Sequence, residues 1–271
     1  MNNHRTHARG IAVLAAALIA AGLAFAPGAA TAVVPAAVDE AGGWLRLGHL
    51  SPDTKSVDVE VTARRGGAVV LELQGVGYGD VSAYSQLAAG MYKVSMVPAG
   101  SPPSTRAVVS SNVKVDADAA TTVVAYGPSA DLEVKAVVDD LTEPTAGNAR
   151  LRLFQASTLT DEVDVATTTG LSIAQGAIAG SVTGYAEVPA GQWTLELSGE
   201  DATGLTAIDV AAGSVSTLFV LDTAAGGLTI LPIVDSAAVG VTPDGGVNTG
   251  GGGSAPRLED VRWLIGRLLG F

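Results

Sequence analysis

The chain contains no cysteine, so disulfide bonds cannot staple its fold and thiol catalysis is excluded. Aromatic residues make up only 4% of the sequence, which leaves few side chains for the stacking platforms of a sugar-binding cleft. His49 is the only histidine after residue 32, so a metal site of several imidazoles is excluded. A Ser-His-Asp triad could form in one place at most. We therefore predict a protein that is not an enzyme, with no catalytic, cofactor-binding or metal-binding residues.

Basic residues are also scarce. The sequence has 15 lysines and arginines against 27 acidic residues, which gives a net charge of −12. Such a chain lacks the positive surface that neutralises phosphates, so we expect no nucleic-acid partner.

The N-terminus has the features of an export signal over residues 1–32. Arg5 and Arg9 precede an apolar run from Ile11 to Ala26, and Ala30-Thr31-Ala32 offers the small residues of a cleavage site. The alternative is a membrane anchor, although 16 apolar residues fall short of the ~20 that span a bilayer as a helix. Cleavage would remove two arginines and no acid, and the net charge would change from −12 to −14. The predicted location is secreted, either extracellular or in the cell envelope.

An internal repeat is the most informative feature of the sequence. Residues 45–59 align without a gap onto residues 151–165, and eight of the fifteen positions are identical. Later blocks also correspond, including Tyr84 with Tyr185 and residues 89–92 with residues 190–193. The chain is therefore predicted to contain two copies of one domain.

Each copy has a strand pattern. Val57, Val59 and Val61 alternate with polar residues, and this period of two puts the valines on one face of a strand. About seven short strands per copy, separated by Gly and Pro clusters, are typical of a β-sandwich. The predicted fold class is all-β, with two tandem antiparallel β-sandwiches (Ig-like or transthyretin-like); a closed barrel is the alternative.

The predicted organisation follows from these patterns. It comprises a signal peptide (1–32), a disordered lead-in (33–43), the first copy (44–142), a linker (143–148), the second copy (149–237), a Gly-rich linker (238–256) and an amphipathic helix (257–271).

The opening of the first copy, residues 45–53 followed by Val57-Asp58-Val59, resembles the start of the "domain of unknown function 4397" family. Tyr84 and residues 89–92 also fit its pattern. The resemblance implies export, a β-sandwich-like fold and tandem copies, and it carries no known catalytic or ligand residues. The second copy departs from the pattern, because Gln155 replaces the histidine and Thr158-Leu159 replaces Pro-Asp.

The C-terminal segment 257–271 is predicted to form a short helix with one apolar stripe. Its preceding linker has a root-mean-square span of ~25 Å. The segment would dock on an envelope protein, on a membrane surface or on its own sandwiches. The candidate docking residues are Leu258, Val261, Leu264, Ile265, Leu268 and Leu269.

The function predicted from these features is a non-catalytic binding, adhesion or scaffolding module of the cell envelope. One alternative is a calcium or ligand sensor, if Asp53, Asp58, Asp139 and Asp140 cluster. The other is a secreted carboxylate-dependent hydrolase, if paired acids converge in a cleft. Asp58 and Asp139 recur in the second copy as Asp164 and Asp235, which favours a structural role for these acids, and His49 with its counterpart Gln155 is expected to be a structural hydrogen bonder.

Overall fold

The computed structural model describes residues 41–102 and 104–236. The predicted signal peptide, most of the lead-in, the Gly-rich linker and the C-terminal helix with its six docking residues lie outside these ranges. None of the helices in the described part is long and apolar enough to serve as a membrane span.

The first half is built from eight strands and one short 3-10 turn at Ser129–Asp131. The strands are β1 (Gly42–Leu50), β2 (Val57–Ala63), β3 (Val69–Val76), β4 (Ser85–Ala88), β5 (Gly90–Pro98), β6 (Val109–Val115), β7 (Ala120–Tyr126) and β8 (Glu133–Asp139).

The second half also has eight strands. They are β9 (Asn148–Gln155), β10 (Glu162–Thr167), β11 (Ser172–Ile178), β12 (Ala186–Pro189), β13 (Gly191–Ser198), β14 (Thr203–Val210), β15 (Val215–Asp222) and β16 (Leu228–Ser236).

Each half is a sandwich of two four-stranded sheets. The first sandwich has the strand orders β4-β1-β7-β8 and β3-β2-β5-β6, and the second has β12-β9-β15-β16 and β11-β10-β13-β14. Adding eight to each strand number of the first sandwich gives the second, so the two halves have the same topology. The all-β class and the β-sandwich architecture are confirmed.

The prediction of purely antiparallel sheets was wrong. β1 pairs with β7 in parallel, and β9 pairs with β15 in the same way. The hairpins predicted from the alternating pattern are antiparallel, but β1 and β7 are far apart in sequence, and the alternation within a strand does not reveal its partner's direction.

The valine alternation in β2 follows from the packing of the two sheets within one sandwich. Val57, Val59 and Val61 point inward and are buried together with Leu45 and Leu47 of β1. The second sandwich has an equivalent core. Polar residues occupy the outer face of β2, as expected for a sheet with one wet side, whereas on the outer face of β5 Lys93 and Ser95 lie between Met91 and Val97.

The sheets that contain β1 and β9 have no wet face over their central strands. All seven residues of β7 and all eight of β15 are buried. Their outer faces form a third apolar core in which Leu50, Val124 and Tyr126 of the first sandwich contact Phe154 and Phe219 of the second. The four sheets are therefore stacked in layers, and the two sandwiches pack through their outer faces.

Corresponding strands of the two central sheets, such as β1 and β9, run in the same direction. Near the start of β1, Arg46 binds Asp235 of β16, which pairs alongside the start of β15. At the far end of β7, Tyr126 stacks edge-on against Phe154, near the end of β9. Both the first described residue, Ala41, and the last, Ser236, consequently lie at one end of the stack, which we call the proximal end. The opposite end is the distal end.

Candidate binding groove

The outer sheet of the first sandwich forms the floor of a groove of about 830 Å3. Glu60, Glu72, Lys93 and Ser95 line this floor, and the connection between β5 and β6, residues 99–108, forms one wall. Because β5 ends at the distal end of the stack, this wall and its groove lie toward that end.

Two glutamates face each other on the groove floor. Glu60 of β2 is paired directly with Glu72 of β3, and both side chains are exposed. Like charges in directly opposed positions of an antiparallel pair are destabilising. Thr62 donates a hydrogen bond of 2.8 Å to Glu60, but within the described chain neither glutamate has a cationic partner.

The β5 side of the groove, which comprises β5 itself and the wall that follows it, carries positive charge. Lys93 and Arg106 are both exposed, and neither forms an ion pair in the described part of the protein. Val97 and Val108 add apolar surface near the wall. The groove thus offers separated positive and negative sides with an apolar strip.

The corresponding surface of the second sandwich differs in chemistry. Its β13–β14 connection has only four residues, 199–202, and Ala166 stands at the repeat position of Glu60. The recess there, about 780 Å3, has no basic residue in its described lining. It is lined by five acids: Asp161, Glu162, Asp164, Glu200 and Asp201. Separated charges are therefore a property of the first sandwich.

The paired glutamates are the feature of the groove closest to hydrolase chemistry. A glycosidase acid must remain protonated near neutral pH, and burial in an apolar environment usually provides this. Glu60 and Glu72 are both open to solvent, and the described lining of the groove includes no aromatic side chain. This arrangement offers two exposed carboxylates that can bind a charged ligand.

Asp58 and Asp164 have the structural role that their recurrence predicts. Each accepts a hydrogen bond from the backbone of a glycine with positive φ, Gly75 at 2.8 Å and Gly176 at 2.7 Å, where the neighbouring strand bulges. Asp58 also accepts one from Gly100, at the start of the groove wall. The carboxylate of Asp58 thereby fixes both the bulge and the wall.

The other recurring pair, Asp139 and Asp235, lies buried between the sandwiches. Arg46 binds Asp235 across the interface, and Arg152 binds Asp139 in the reciprocal direction. The Nε atoms of both arginines also donate to threonine hydroxyls, as Arg46 does to Thr122 at 2.7 Å. A pseudo-two-fold axis therefore relates the two ion pairs, and each copy contributes the arginine to one pair and the aspartate to the other, as in a symmetric dimer.

Two tyrosines complete these clusters. Tyr84 donates to Asp139 and Tyr185 donates to Asp235, each at 2.6 Å, and an arginine lies 4.7 Å over each ring. Burial, the largest cause, raises the pKa of both phenols well above the usual range. Burial alone would lower the pKa of Arg46, but the negative charges around it, chiefly Asp235, outweigh that effect and the pKa is raised. The clusters are therefore committed to holding the sandwiches together.

His49 is a structural hydrogen bonder, as its counterpart predicts. Its Nε2 atom lies 3.3 Å from the carbonyl of Thr54, and Gln155 donates to the carbonyl of Thr160 at 3.2 Å in the same place of the second copy. The side chain is fully buried, and burial lowers its pKa. His49 is thus a neutral brace for the loop after β1.

The four acids considered for calcium do not come together. Asp53 binds Ser129 at the distal end, Asp58 caps Gly75, and Asp139 and Asp140 pair with different arginines at the proximal end. No group of three or more His, Cys, Asp or Glu side chains suited to a metal ion occurs within residues 41–102 and 104–236. The predicted calcium cluster was therefore wrong.

Sequence reasoning missed the groove itself. The alternation places Glu60 on the outer face of β2, but its pairing with Glu72 depends on register shifts between β2 and β3. The longer β5–β6 connection, compared with the second copy, was the signal that could have marked the wall.

Comparisons with known proteins agree with the family resemblance. Residues 43–166 match the model of the family described as "Domain of unknown function (DUF4397)", a range that covers the first sandwich and ends within β10. No curated protein matches the chain in sequence.

Similar solved structures include the Bacillus anthracis TIE protein, at 11% identity and a TM-score of 0.24; the match covers 66% of this chain and 34% of that one. The chain thus spans about a third of that protein. A candidate cell adhesion protein from Bacteroides uniformis is similar at 8% identity and a TM-score of 0.22, with 72% of this chain and 98% of that chain covered. Likenesses at this level carry no argument about function.

Proposed function

Since the chain carries a domain of the DUF4397 family over residues 43–166, we propose that it is a non-catalytic binding module of the bacterial cell envelope. The groove of the first sandwich is its ligand-binding surface, and the ligand is an extended segment of a partner polypeptide with basic side chains. The predicted export signal supports the location.

The unpaired glutamates on the groove floor carry this proposal. Glu60 and Glu72 repel each other in the free protein, so a cationic side chain placed between them removes that repulsion. Lys93 and Arg106 on the other side of the groove suit acidic groups of the same ligand, which fixes its direction. The valines of the strip accept apolar side chains between the charged ones.

The remaining polar clusters support a scaffolding role for the rest of the molecule. The buried arginines and aspartates between the sandwiches hold each other and are closed to solvent. The layered stack is then a rigid support for the groove of the first sandwich, and rigidity reduces the entropy lost on binding.

A titration with defined peptides tests the proposal. An octapeptide of alternating lysine and valine is added to the full chain in a calorimeter, with the glutamate–valine octapeptide as the opposite-charge probe. We expect heat of binding with the lysine peptide and a loss of affinity of about tenfold in the Glu60→Gln/Glu72→Gln variant, because two charge-assisted contacts are weakened.

The matched control is Glu162→Gln/Glu200→Gln, which removes two exposed acids from the recess of the second sandwich. This variant should bind like the parent chain. Equal losses in both variants would show that only net charge matters, and the groove would then not be the binding surface.

A further inference from the structure

The hairpin between β2 and β3 carries an exposed basic and apolar surface at the proximal end. We define the basic tip as residues 64–70 together with Met91, whose carbonyl accepts a hydrogen bond from the backbone of Arg64. Every residue from Arg64 to Val70 is exposed. In addition, the large apolar side chains Val69, Val70 and Met91 are 47%, 41% and 47% exposed.

The positive charges of the tip have no ion-pair partner among the described residues. Arg64 and Arg65 form no ion pair within the described ranges, although acids outnumber bases 27 to 15 in the chain. Paired arginines beside exposed apolar side chains are the combination that anionic lipid surfaces attract and bury. The same hairpin of the second sandwich is uncharged, with the sequence Thr168-Thr169-Gly170-Leu171.

Both terminal segments join the described fold at the proximal end, where the tip lies. Ala41 accepts a hydrogen bond from Ala89, two residues before Met91, so residues 1–40 join the fold beside the tip. Ser236 pairs with Val215 at the same proximal end, so residues 237–271 join there too. The C-terminal segment 257–271, which the sequence nominates for membrane contact, is thus attached at this end. In the anchor alternative, in which residues 1–32 are not cleaved, the apolar run 11–26 is attached there too.

The lengths of the connections allow this arrangement. In the anchor alternative, fourteen residues, 27–40, separate the N-terminal apolar run from Ala41, and they span at most about 50 Å. Residues 238–256 give a typical span of ~25 Å on the other side.

We propose that the basic tip docks on an anionic lipid surface, so that the proximal end faces the membrane and the groove at the distal end points away from it. This inference rests on the envelope location proposed above but not on the groove. If the chain binds the lysine peptide but does not bind anionic vesicles, docking through the tip is refuted and the groove proposal stands.

Position-specific labelling tests the tip in the full chain. Because the sequence has no cysteine, Val70→Cys and, as a distal control, Ile178→Cys each provide one site for an environment-sensitive fluorophore. Ile178 is a matched control, since it is 56% exposed and lies where β10 begins, at the distal end. The probes are vesicles of phosphatidylcholine with about 30% phosphatidylglycerol, and vesicles of phosphatidylcholine alone.

We expect a blue shift of emission for the label at residue 70 on anionic vesicles and no shift for the label at residue 178. Equal shifts at both positions, or none at residue 70, would overturn the proposal even if another segment holds the protein on the vesicle. A shift produced equally by soluble polyphosphate would also overturn it, because the tip would then bind anionic polymers rather than lipid.

A second measurement removes the charge. Arg64→Ser/Arg65→Ser should reduce partitioning onto anionic vesicles about tenfold or more, since each basic residue near such a surface contributes favourably. Lys55→Ser, which removes an exposed charge at the distal end, should leave partitioning unchanged. An equal effect of both variants would indicate general electrostatic attraction and refute docking through the tip.

Discussion

Breaking one buried ion pair between the sandwiches should cost several kilocalories per mole, whereas removing both partners should cost less. Asp235→Leu leaves the guanidinium of Arg46, which is 1% exposed, without its carboxylate. Removing one partner of a buried pair typically costs about 3–5 kcal/mol. Thr217 and Tyr185 also lose Asp235 as their hydrogen-bond acceptor, at 2.8 and 2.6 Å, so the upper part of that range is expected.

The double variant Arg46→Met/Asp235→Leu separates the charge effect from the rest. It leaves the two hydroxyls unsatisfied but buries no unpaired charge, so its total cost should fall to about 1–3 kcal/mol. Urea unfolding followed by circular dichroism measures Asp235→Leu, the single variant Arg46→Met and the double variant, and the double-mutant cycle gives a coupling energy of at least about 2 kcal/mol. The reciprocal pair, Arg152 and Asp139, provides an internal replicate with the same expected pattern.

Additive single-variant effects would refute this reasoning, because the arginine and the aspartate would then not depend on each other.

A second test concerns the cooperativity of unfolding. Since Phe154 and Phe219 are buried between the sandwiches, the parent chain should unfold in one transition, and two separate transitions would show that the shared apolar core contributes little.

Three further variants are informative. His49→Gln should keep the stability measured at pH 7 within about 1 kcal/mol and should flatten the loss of stability on acidification. The folded-state pKa of His49 lies below its unfolded value of 6.5, so the unfolded chain takes up the proton first and stability falls as the pH drops below about 6.5. Urea unfolding at several pH values measures this loss in the parent chain and in the variant. Gly180→Ala should lower the melting temperature more than Gly79→Ala. Both glycines have positive φ, but only a Cβ at residue 180 would come within 2.5 Å of Tyr126. Equal shifts of the two melting temperatures would mean that backbone strain alone matters. Asp58→Ala should destabilise the fold by about 0.5–1.5 kcal/mol, because two exposed backbone amides exchange their carboxylate acceptor for water. Faster hydrogen exchange at those amides would report it, whereas unchanged exchange would contradict the bracing role.

The local structure was predictable where residues in one strand carry the information. The alternation of Val57, Val59 and Val61 specified a strand with one buried face, because side chains in a strand point alternately to opposite sides. The recurrence of Asp58 as Asp164 correctly marked a structural acid, since both copies need an acceptor at the same bulge. The replacement of His49 by Gln155 correctly indicated a structural hydrogen bonder.

The candidate site was only partly predictable. The outward position of Glu60 follows from the alternation, but the identity of its cross-strand neighbour depends on register, and a shift of one residue would bring another side chain opposite it. The calcium hypothesis failed for a similar reason. Acids close to strand ends lie at both ends of the stack, and their spacing along the chain does not say at which end each falls.

By itself, the sequence determined the chemistry of the copies: two disulfide-free β-sandwiches with apolar interiors and the same arginine and aspartate in each repeat. These features follow from residue types and from the period of two, both of which act within a strand or between neighbours. Only the tertiary structure decided that β1 and β7 run parallel, that Arg46 reaches Asp235 of the other copy and that one groove carries separated charges. Such contacts join residues that are remote along the chain, and they exist only once the sheets are stacked in register.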